Sequence, residues 1–397
     1  MINKKYVKIG NSPSAIRDLF NYGLEQAKIV GPENVYDYSL GNPSIPAPAK
    51  VNETIKWLVD NVDPIKVHGY SAARGNDSFR EAIANNLNKR FNLGANPDKI
   101  CVTCGCIAAL TATVMAITDG PDDEIVTIAP FFPAYYGVMG IPRCKLTIVP
   151  ADFENFQINF DALEEKINEH TRGVIINSPN NPSGVVYTED TIRKIAALLE
   201  RKSKEYGYPI YIIADEPYRE LVYGDAKVTC IPTIYDNTVV CYSWSKSLSL
   251  PGERIGYVCV PDKCENGDDL YWAVVGASSE IGSVCPPSLI QRVVEACIDE
   301  MPDLTAYDAN RTLLYNSLTE IGYEMAKPDG AFYMLVKCPN GDAKAFSTRA
   351  KLEHNLLVVP TDSFGCPGYM RLSYCVSYDT IKNSIPAFKE MYEYYTK

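Results

Sequence analysis

A chain of 397 residues, 46% hydrophobic and 22% charged, is long enough to bury a large core and to form about two domains. A net charge of -11 supplies no basic footprint for nucleic acid or an anionic membrane as the main partner. No run approaches the roughly 18 apolar residues of a membrane span, residues 1–6 lack an apolar signal core, and the thirteen cysteines fit reduced thiols, so a cytoplasmic protein is expected.

The first element is predicted over residues 12–27, with Ser12 as cap, Pro13 at the first helical position, and Ile16, Leu19, Phe20, Leu24 and Ala27 on one apolar face. Gly41 and Pro43 then break any regular element and let backbone approach a ligand or another chain. Tyr70 sits in a loop between Gly69 and Gly75, ahead of a helix with Phe79, Ile83 and Leu87 on one face. From residue 100 a strand (100–103), a glycine turn and an Ala-rich helix (107–117) follow in order. Such a unit points backbone N–H groups and the positive helix end at an anion, which makes Gly105, Cys106 and Ile107 a candidate phosphate cradle. Cys101, Cys104 and Cys106 have metal-like spacing, but no histidine or second cysteine pair stands near them, and no metal site is expected.

Further strands are predicted over 124–129 and 145–149 and in the runs beginning at Gly173 and Ile210. A helix with Ile192, Ile195 and Leu199 on one face separates the last two. Phe132 lies in the loop after the first of these strands and Asn181 in the turn after the third. Asp215 ends the fourth, where an acid is partly buried and needs a partner, and Tyr218 returns toward it through the Pro217 turn.

Two apolar runs, 238–241 and 255–260, enclose a turn with Ser243, Ser245, Lys246 and Arg254. A lone loop lysine is usually a solvated cation. Here an arginine able to make a two-pronged contact and two hydroxyl donors could hold a phosphate beside it. A cation nearby disfavours the ammonium form, and a neutral amine attacks an aldehyde, so the combination suggests pyridoxal phosphate. Strands and helices alternate from about 100 to 260, which predicts a mainly parallel sheet between helices, with the strand C-termini forming one ligand crevice. Beyond residue 260 the pattern changes, and strands over 330–336, 356–359 and 370–374 make a smaller sheet, with Arg371 in the last.

Ser243-x-x-Lys246 followed by Gly252-x-Arg254-x-Gly256 resembles the Schiff-base segment of the class I and II aminotransferases, the fold-type-I pyridoxal-phosphate enzymes, and further motifs follow in family order along essentially the whole chain. The resemblance implies an α/β fold of type I. A large cofactor domain with a mainly parallel sheet would span 46–290, and a smaller α+β domain would combine 1–45 with 291–397. It implies that Lys246 carries the cofactor and then moves protons, that Asp215 faces the pyridine nitrogen, and that Asn181 and Tyr218 meet the phenolic oxygen. Phe132 would lie flat on the ring, where the family commonly has tryptophan. Gly105, Cys106 and Ile107, through backbone, would hold the phosphate together with Ser243, Ser245 and Arg254. Tyr70 would reach the phosphate of a neighbouring subunit, which implies a homodimer. Gly41, Asn181 and Arg371 would line the substrate, Arg371 gripping its α-carboxylate. Thr361 stands where the family typically has glycine, so the 360–365 loop is expected to shape the pocket differently.

The implied activity is transfer of an amino group between an L-amino acid, aspartate- or glutamate-like, and a 2-oxo acid such as 2-oxoglutarate. Arg74, Lys66 and His68 are the cations near the Tyr70 loop that a second carboxylate would need. The alternative on the same fold is a pyridoxal-phosphate-dependent carbon–sulfur β-lyase. A regulator built on such a domain would need a DNA-binding module, for which a chain that starts almost at its docking helix leaves no room. A nicotinamide oxidoreductase would need a Gly-rich fingerprint that is absent between the first strand and helix.

Overall fold

The apolar runs of the middle of the chain read as strands covered on both faces, and in a computed structural model, which describes residues 2–11 and 14–397, they form one seven-stranded sheet. In chain order β1 (Tyr36–Asp37) precedes β2 (Ile100–Thr103), β3 (Glu124–Ile128), β4 (Lys145–Val149), β5 (Thr171–Asn177), β6 (Tyr211–Asp215), β7 (Thr238–Ser243) and β8 (Gly256–Cys259). After these come β9 (Tyr333–Lys337), β10 (Leu356–Leu357), β11 (Val359–Pro360) and β12 (Tyr369–Ser373). The chain divides into two compact units, one of Ile45–Leu304 with Asp329–Ala331, the other of Met1–Ser44, Thr305–Pro328 and Phe332–Lys397.

In the larger unit the strand order is β2-β8-β7-β6-β5-β3-β4. β8 runs antiparallel to β2 and β7, and the remaining pairs are parallel, giving the mainly parallel sheet expected of this α/β chain. Every residue of β3, β6 and β7 is buried, so neither face of these strands is left to water. On one face Val126, Val174, Ile176 and Ile212 pack with Ile192, Ile195 and Leu199 of the helix Glu189–Tyr206. Those three side chains recur at helical spacing, and each contributes about 1.5–3 kcal/mol by leaving water. The Thr188 hydroxyl starts this helix by accepting the Thr191 N–H at 3.1 Å, and Gly207, at a φ of 80°, ends it.

Toward the β2 edge of the same face Ile100, Val102, Val240, Tyr257 and Cys259 pack with Phe79, Ile83 and Leu87 of the helix Asp77–Phe91. Ile290, Val293 and Val294 of the helix Ser288–Ala296 join the same core, so this helix, which straddles the expected boundary at 290/291, packs within the larger unit. The helix Cys106–Ile117 is apolar nearly all round and buried accordingly.

The smaller unit contains an antiparallel sheet in the order β11-β12-β9 and a parallel pair, β1 with β10. Its helix Ala15–Val30 is capped by the Ser14 hydroxyl, which accepts the Arg17 N–H at 3.4 Å, and Leu19 packs against Leu357, Val359 and Phe364. Ser12 and Pro13, read from the sequence as cap and first turn, lie outside the described residues. Leu314 and Leu318 are the buried stripe of the helix Thr305–Ile321. Among the described residues no helix is long and apolar enough to cross a membrane.

Candidate active site

β3, β5, β6 and β7 run in one direction, and β2, antiparallel to β8 as β7 is, runs with them, so the turns that leave these strands gather at one edge of the sheet. At the centre is Asp215, the last residue of β6 and 4% exposed. Its Oδ2 accepts the Tyr135 hydroxyl at 2.5 Å, and its Oδ1 accepts the Cys106 thiol at 3.1 Å. Burial pushes the Asp215 carboxyl up to about 6, although both donors pull it down and Glu216 adds a small upward push. Among the described residues no cation acts on it, so the structural salt bridge that the sequence alone allows for Asp215 is not its environment there. Burial and the neighbouring acid keep the Cys106 thiol and Tyr135 phenol protonated, so both act as donors.

The Asn181 segment is tied to the same point. Asn177, which ends β5, donates through Nδ2 to the Asp215 backbone oxygen at 2.9 Å and accepts the Asn181 N–H through Oδ1 at 2.8 Å. Phe132 packs edge-on against Tyr135 with ring centres 6.2 Å apart. Tyr218 is buried three residues beyond Asp215, its backbone oxygen accepting the Leu221 N–H at 2.8 Å.

The residues expected to cradle a phosphate lie where β2 meets its helix. Gly105, at a φ of 88°, precedes the helix Cys106–Ile117, so the N–H groups of Cys106 and Ile107 open its first turn. A Cβ on Gly105 would lie 2.7 Å from Nη2 of Arg254, so the arginine rests on the glycine itself. Arg254 also donates to the backbone oxygens of Pro251 and Cys104 at 2.8 and 3.5 Å. Ser243, at the end of β7, is in register with Gly256, which is also in register with Thr103 at the end of β2. The Ser243 hydroxyl donates to Ser245 at 3.2 Å, one residue before Lys246 in the turn. Gly105, Cys106, Phe132, Asn181, Asp215, Ser243, Ser245 and Arg254 thus share this edge with the turns that carry Tyr218 and Lys246.

Tyr70 is not drawn into this cluster; it projects from its loop, 95% exposed. Arg74 is engaged locally, 3.6 Å from Asp98 and 5.9 Å over the Trp272 ring, while Lys66 and His68 are exposed. In the smaller unit Arg371 is only 2% exposed, although an arginine in an apolar strand most often faces water. It lies in β12 between Leu335 of β9 and Val359 of β11, donates to the Ser39 backbone oxygen at 2.5 Å, and has the Tyr333 and Phe364 ring centres at 4.8 and 5.3 Å. Gly41 belongs to this group, since a Cβ there would overlap the Tyr333 hydroxyl. Thr361 is fully buried, and its hydroxyl donates to the Cys366 and Tyr369 backbone oxygens at 2.6 and 2.8 Å, which closes its own loop.

Two residues of the site were not legible as such. Asn177 carries the same signal as Asp215, a polar residue ending an apolar strand. Tyr135 carried only its place three residues after Phe132, and its partner becomes visible when β3 and β6 are set in one sheet. The thiol of Cys106 is a third addition, because the sequence assigned that residue a backbone contact alone.

A family model described as aminotransferase class I and II matches residues 33–388 of the chain. A probable aspartate aminotransferase of Methanocaldococcus jannaschii is 30% identical over 390 residues, which cover 96% of this chain and 97% of that one. Among solved structures, an amino transferase from Eubacterium rectale is 54% identical with a TM-score of 0.97 over 100% of both chains. Aspartate aminotransferase from Thermotoga maritima is 26% identical with a TM-score of 0.85, covering 98% of this chain and 99% of that one. These relatives carry aminotransferase names, which does not favour the β-lyase alternative. The chain belongs to the class I and II aminotransferases, a family whose members use pyridoxal phosphate, and its reaction is the transfer of an amino group.

Proposed function

We propose that this chain holds pyridoxal phosphate in the larger unit through Lys246 and moves the amino group of aspartate or glutamate to a 2-oxo acid such as 2-oxoglutarate. The observation that carries the reading is Asp215, a buried carboxylate held by two neutral donors, with no cation acting on it, at the edge where the strands end. A cationic ring nitrogen is a partner of the kind such an acid lacks. The cradle fits the rest of the cofactor, with a helix N-terminus, a glycine that admits no side chain, and Arg254 lying on that glycine.

When bound, pyridoxal phosphate supplies an electron-withdrawing ring that lets an amino acid's α-carbon release its proton. Lys246 Nζ takes that proton and returns it. Asp215 would hold the ring nitrogen charged, Asn181 and Tyr218 would serve the phenolic oxygen, and Phe132 would lie against the ring. Backbone N–H groups of Gly105, Cys106 and Ile107, the hydroxyls of Ser243 and Ser245, and Arg254 would hold the phosphate. In the smaller unit Arg371 takes the substrate α-carboxylate by a paired hydrogen bond, beside Gly41. Aspartate is favoured by the names of the relatives from Methanocaldococcus jannaschii and Thermotoga maritima. A homodimer is supported by Tyr70, whose near-complete exposure leaves it available to a second copy of the chain.

The test is the absorbance spectrum of the purified protein with added pyridoxal phosphate. A visible band that fades on adding L-aspartate or L-glutamate and returns with 2-oxoglutarate supports the reading, and Lys246→Ala should lose turnover by at least about 10³-fold. A protein that binds no cofactor, or a Lys246→Ala variant with normal turnover, overturns it.

A further inference from the structure

The turn that follows β6 faces two ways. Asp215 and Tyr218 belong to the edge already described, whereas Glu216, Arg219 and Glu220, between and just after them, point into the larger unit and are each 4–6% exposed. Three charges buried so close together are tolerated only where each finds a partner. Arg219 donates to Glu216 at 2.5 Å and to the Tyr257 hydroxyl at 3.1 Å, and its guanidinium lies 4.5 Å from the Tyr242 ring centre. Glu220 accepts Arg90 at 2.7 Å on one oxygen and the Tyr242 hydroxyl at 2.9 Å on the other.

The Tyr242 hydroxyl is also 2.8 Å from the hydroxyl of Ser247, the residue after Lys246. A carboxylate only accepts, so the Tyr242 proton goes to Glu220 and the Ser247 proton goes to Tyr242. The order of donors is therefore fixed from a buried charge outward to the lysine turn. We infer that the Glu220–Tyr242–Ser247 chain is a positioning device that locks the backbone and orientation of Lys246 to the turn bearing Asp215 and Tyr218. It gives the two turns a common buried anchor, so Lys246 keeps its register with the acid. The inference deepens the proposed function and rests on Lys246 being the reacting lysine.

The test uses Tyr242→Phe, which keeps the ring against Arg219 and removes only the hydroxyl, with Ser247→Ala and Ser247→Thr. In the cofactor-loaded enzyme, Tyr242→Phe and Ser247→Ala should lower kcat per bound cofactor about tenfold with KM within about twofold, and Ser247→Thr should restore it. In the cofactor-free protein, the pH midpoint for acylation of Lys246, read by peptide mass spectrometry, should move by about half a unit in the first two variants and return in the third. Loss of thermal stability alone, with kcat and the acylation midpoint unchanged, overturns the inference, as does a Ser247→Thr variant that behaves like Ser247→Ala. Failure of wild type to bind cofactor would strike the proposed function instead, and the acylation arm would still decide the positioning chain.

Discussion

Asp215 and Glu124 are acids on one sheet, 4% and 6% exposed, at opposite ends of its parallel strands. Glu124 opens β3 and accepts Lys145 at 2.5 Å, Thr147 at 2.6 Å and Asn168 at 3.3 Å. Burial would raise its carboxyl, but those three partners together hold it below the ordinary value. Asp215 closes β6, has only neutral donors, and is pushed up to about 6 by burial. The fold supplies a cation to the first acid and leaves the second in want of one. At similar exposure the two acids are told apart by their partners, a cation for Glu124 and neutral donors for Asp215.

The comparison is broken most directly by neutralising each acid in turn. If Asp215 serves the cofactor as proposed, Asp215→Asn is expected to lower kcat by about 10³-fold or more while the fold remains. Glu124→Gln should reduce stability but leave kcat per bound cofactor within about twofold. Steady-state kinetics normalised to cofactor content decide this, and comparable losses in both variants would erase the distinction drawn between the two ends.

A second prediction sharpens it through pH. The folded value of Asp215, about 6, lies above the ordinary 3.8. Between those values the folded chain keeps a proton that the unfolded chain gives up, so stability falls as pH rises through that window. For the cofactor-free protein the loss through this group is on the order of 3 kcal/mol between about pH 4 and 6.5, and Asp215→Asn removes it. Glu124 runs the other way, since its value is lowered. Its contribution is present above the ordinary carboxylate range and is lost as pH falls. Urea denaturation of wild type, Asp215→Asn and Glu124→Gln should show the Asp215 slope within this range and a Glu124 slope of opposite sign only below the ordinary carboxylate value. Parallel curves for wild type and Asp215→Asn would refute the placement of Asp215.

The layering was legible because the runs that became β3, β6 and β7 had no polar alternation, and because strand ends in a parallel sheet share an edge. The strand-end position of Asp215, and the turns that carry Asn181 and Lys246 after β5 and β7, could be read from the apolar runs. What resisted reading depends on contacts distant in sequence. Arg371 looks like a surface arginine until its strand is set between β9 and β11. Thr361, where the family typically has glycine, is held by two carbonyls of its own loop, contacts that the sequence spacing does not reveal. The helix Ala15–Val30 starts from Ser14, whose hydroxyl accepts the Arg17 N–H, a local signal that a serine before an apolar-periodic run carries.

The smallest expected effect tests the neutral donors themselves. Tyr135→Phe removes the hydroxyl 2.5 Å from Asp215 Oδ2 and leaves a buried carboxylate with one donor fewer. That donor lowers the Asp215 value, so its loss should raise it further above about 6. With a higher folded value the proton is held to higher pH, and the fall in cofactor-free stability should extend upward along the pH axis by the same displacement. The cost is about 1–2 kcal/mol at pH above the transition, and kcat should drop by a few-fold, not a thousand-fold, because the acid itself remains. Cys106→Ala should move the transition in the same direction by less, since a thiol is a weak donor. A Tyr135→Phe curve that superposes on wild type would mean that the phenol does not set the charge of Asp215, and the contrast with Glu124 would then rest on the cation that Lys145 brings to Glu124.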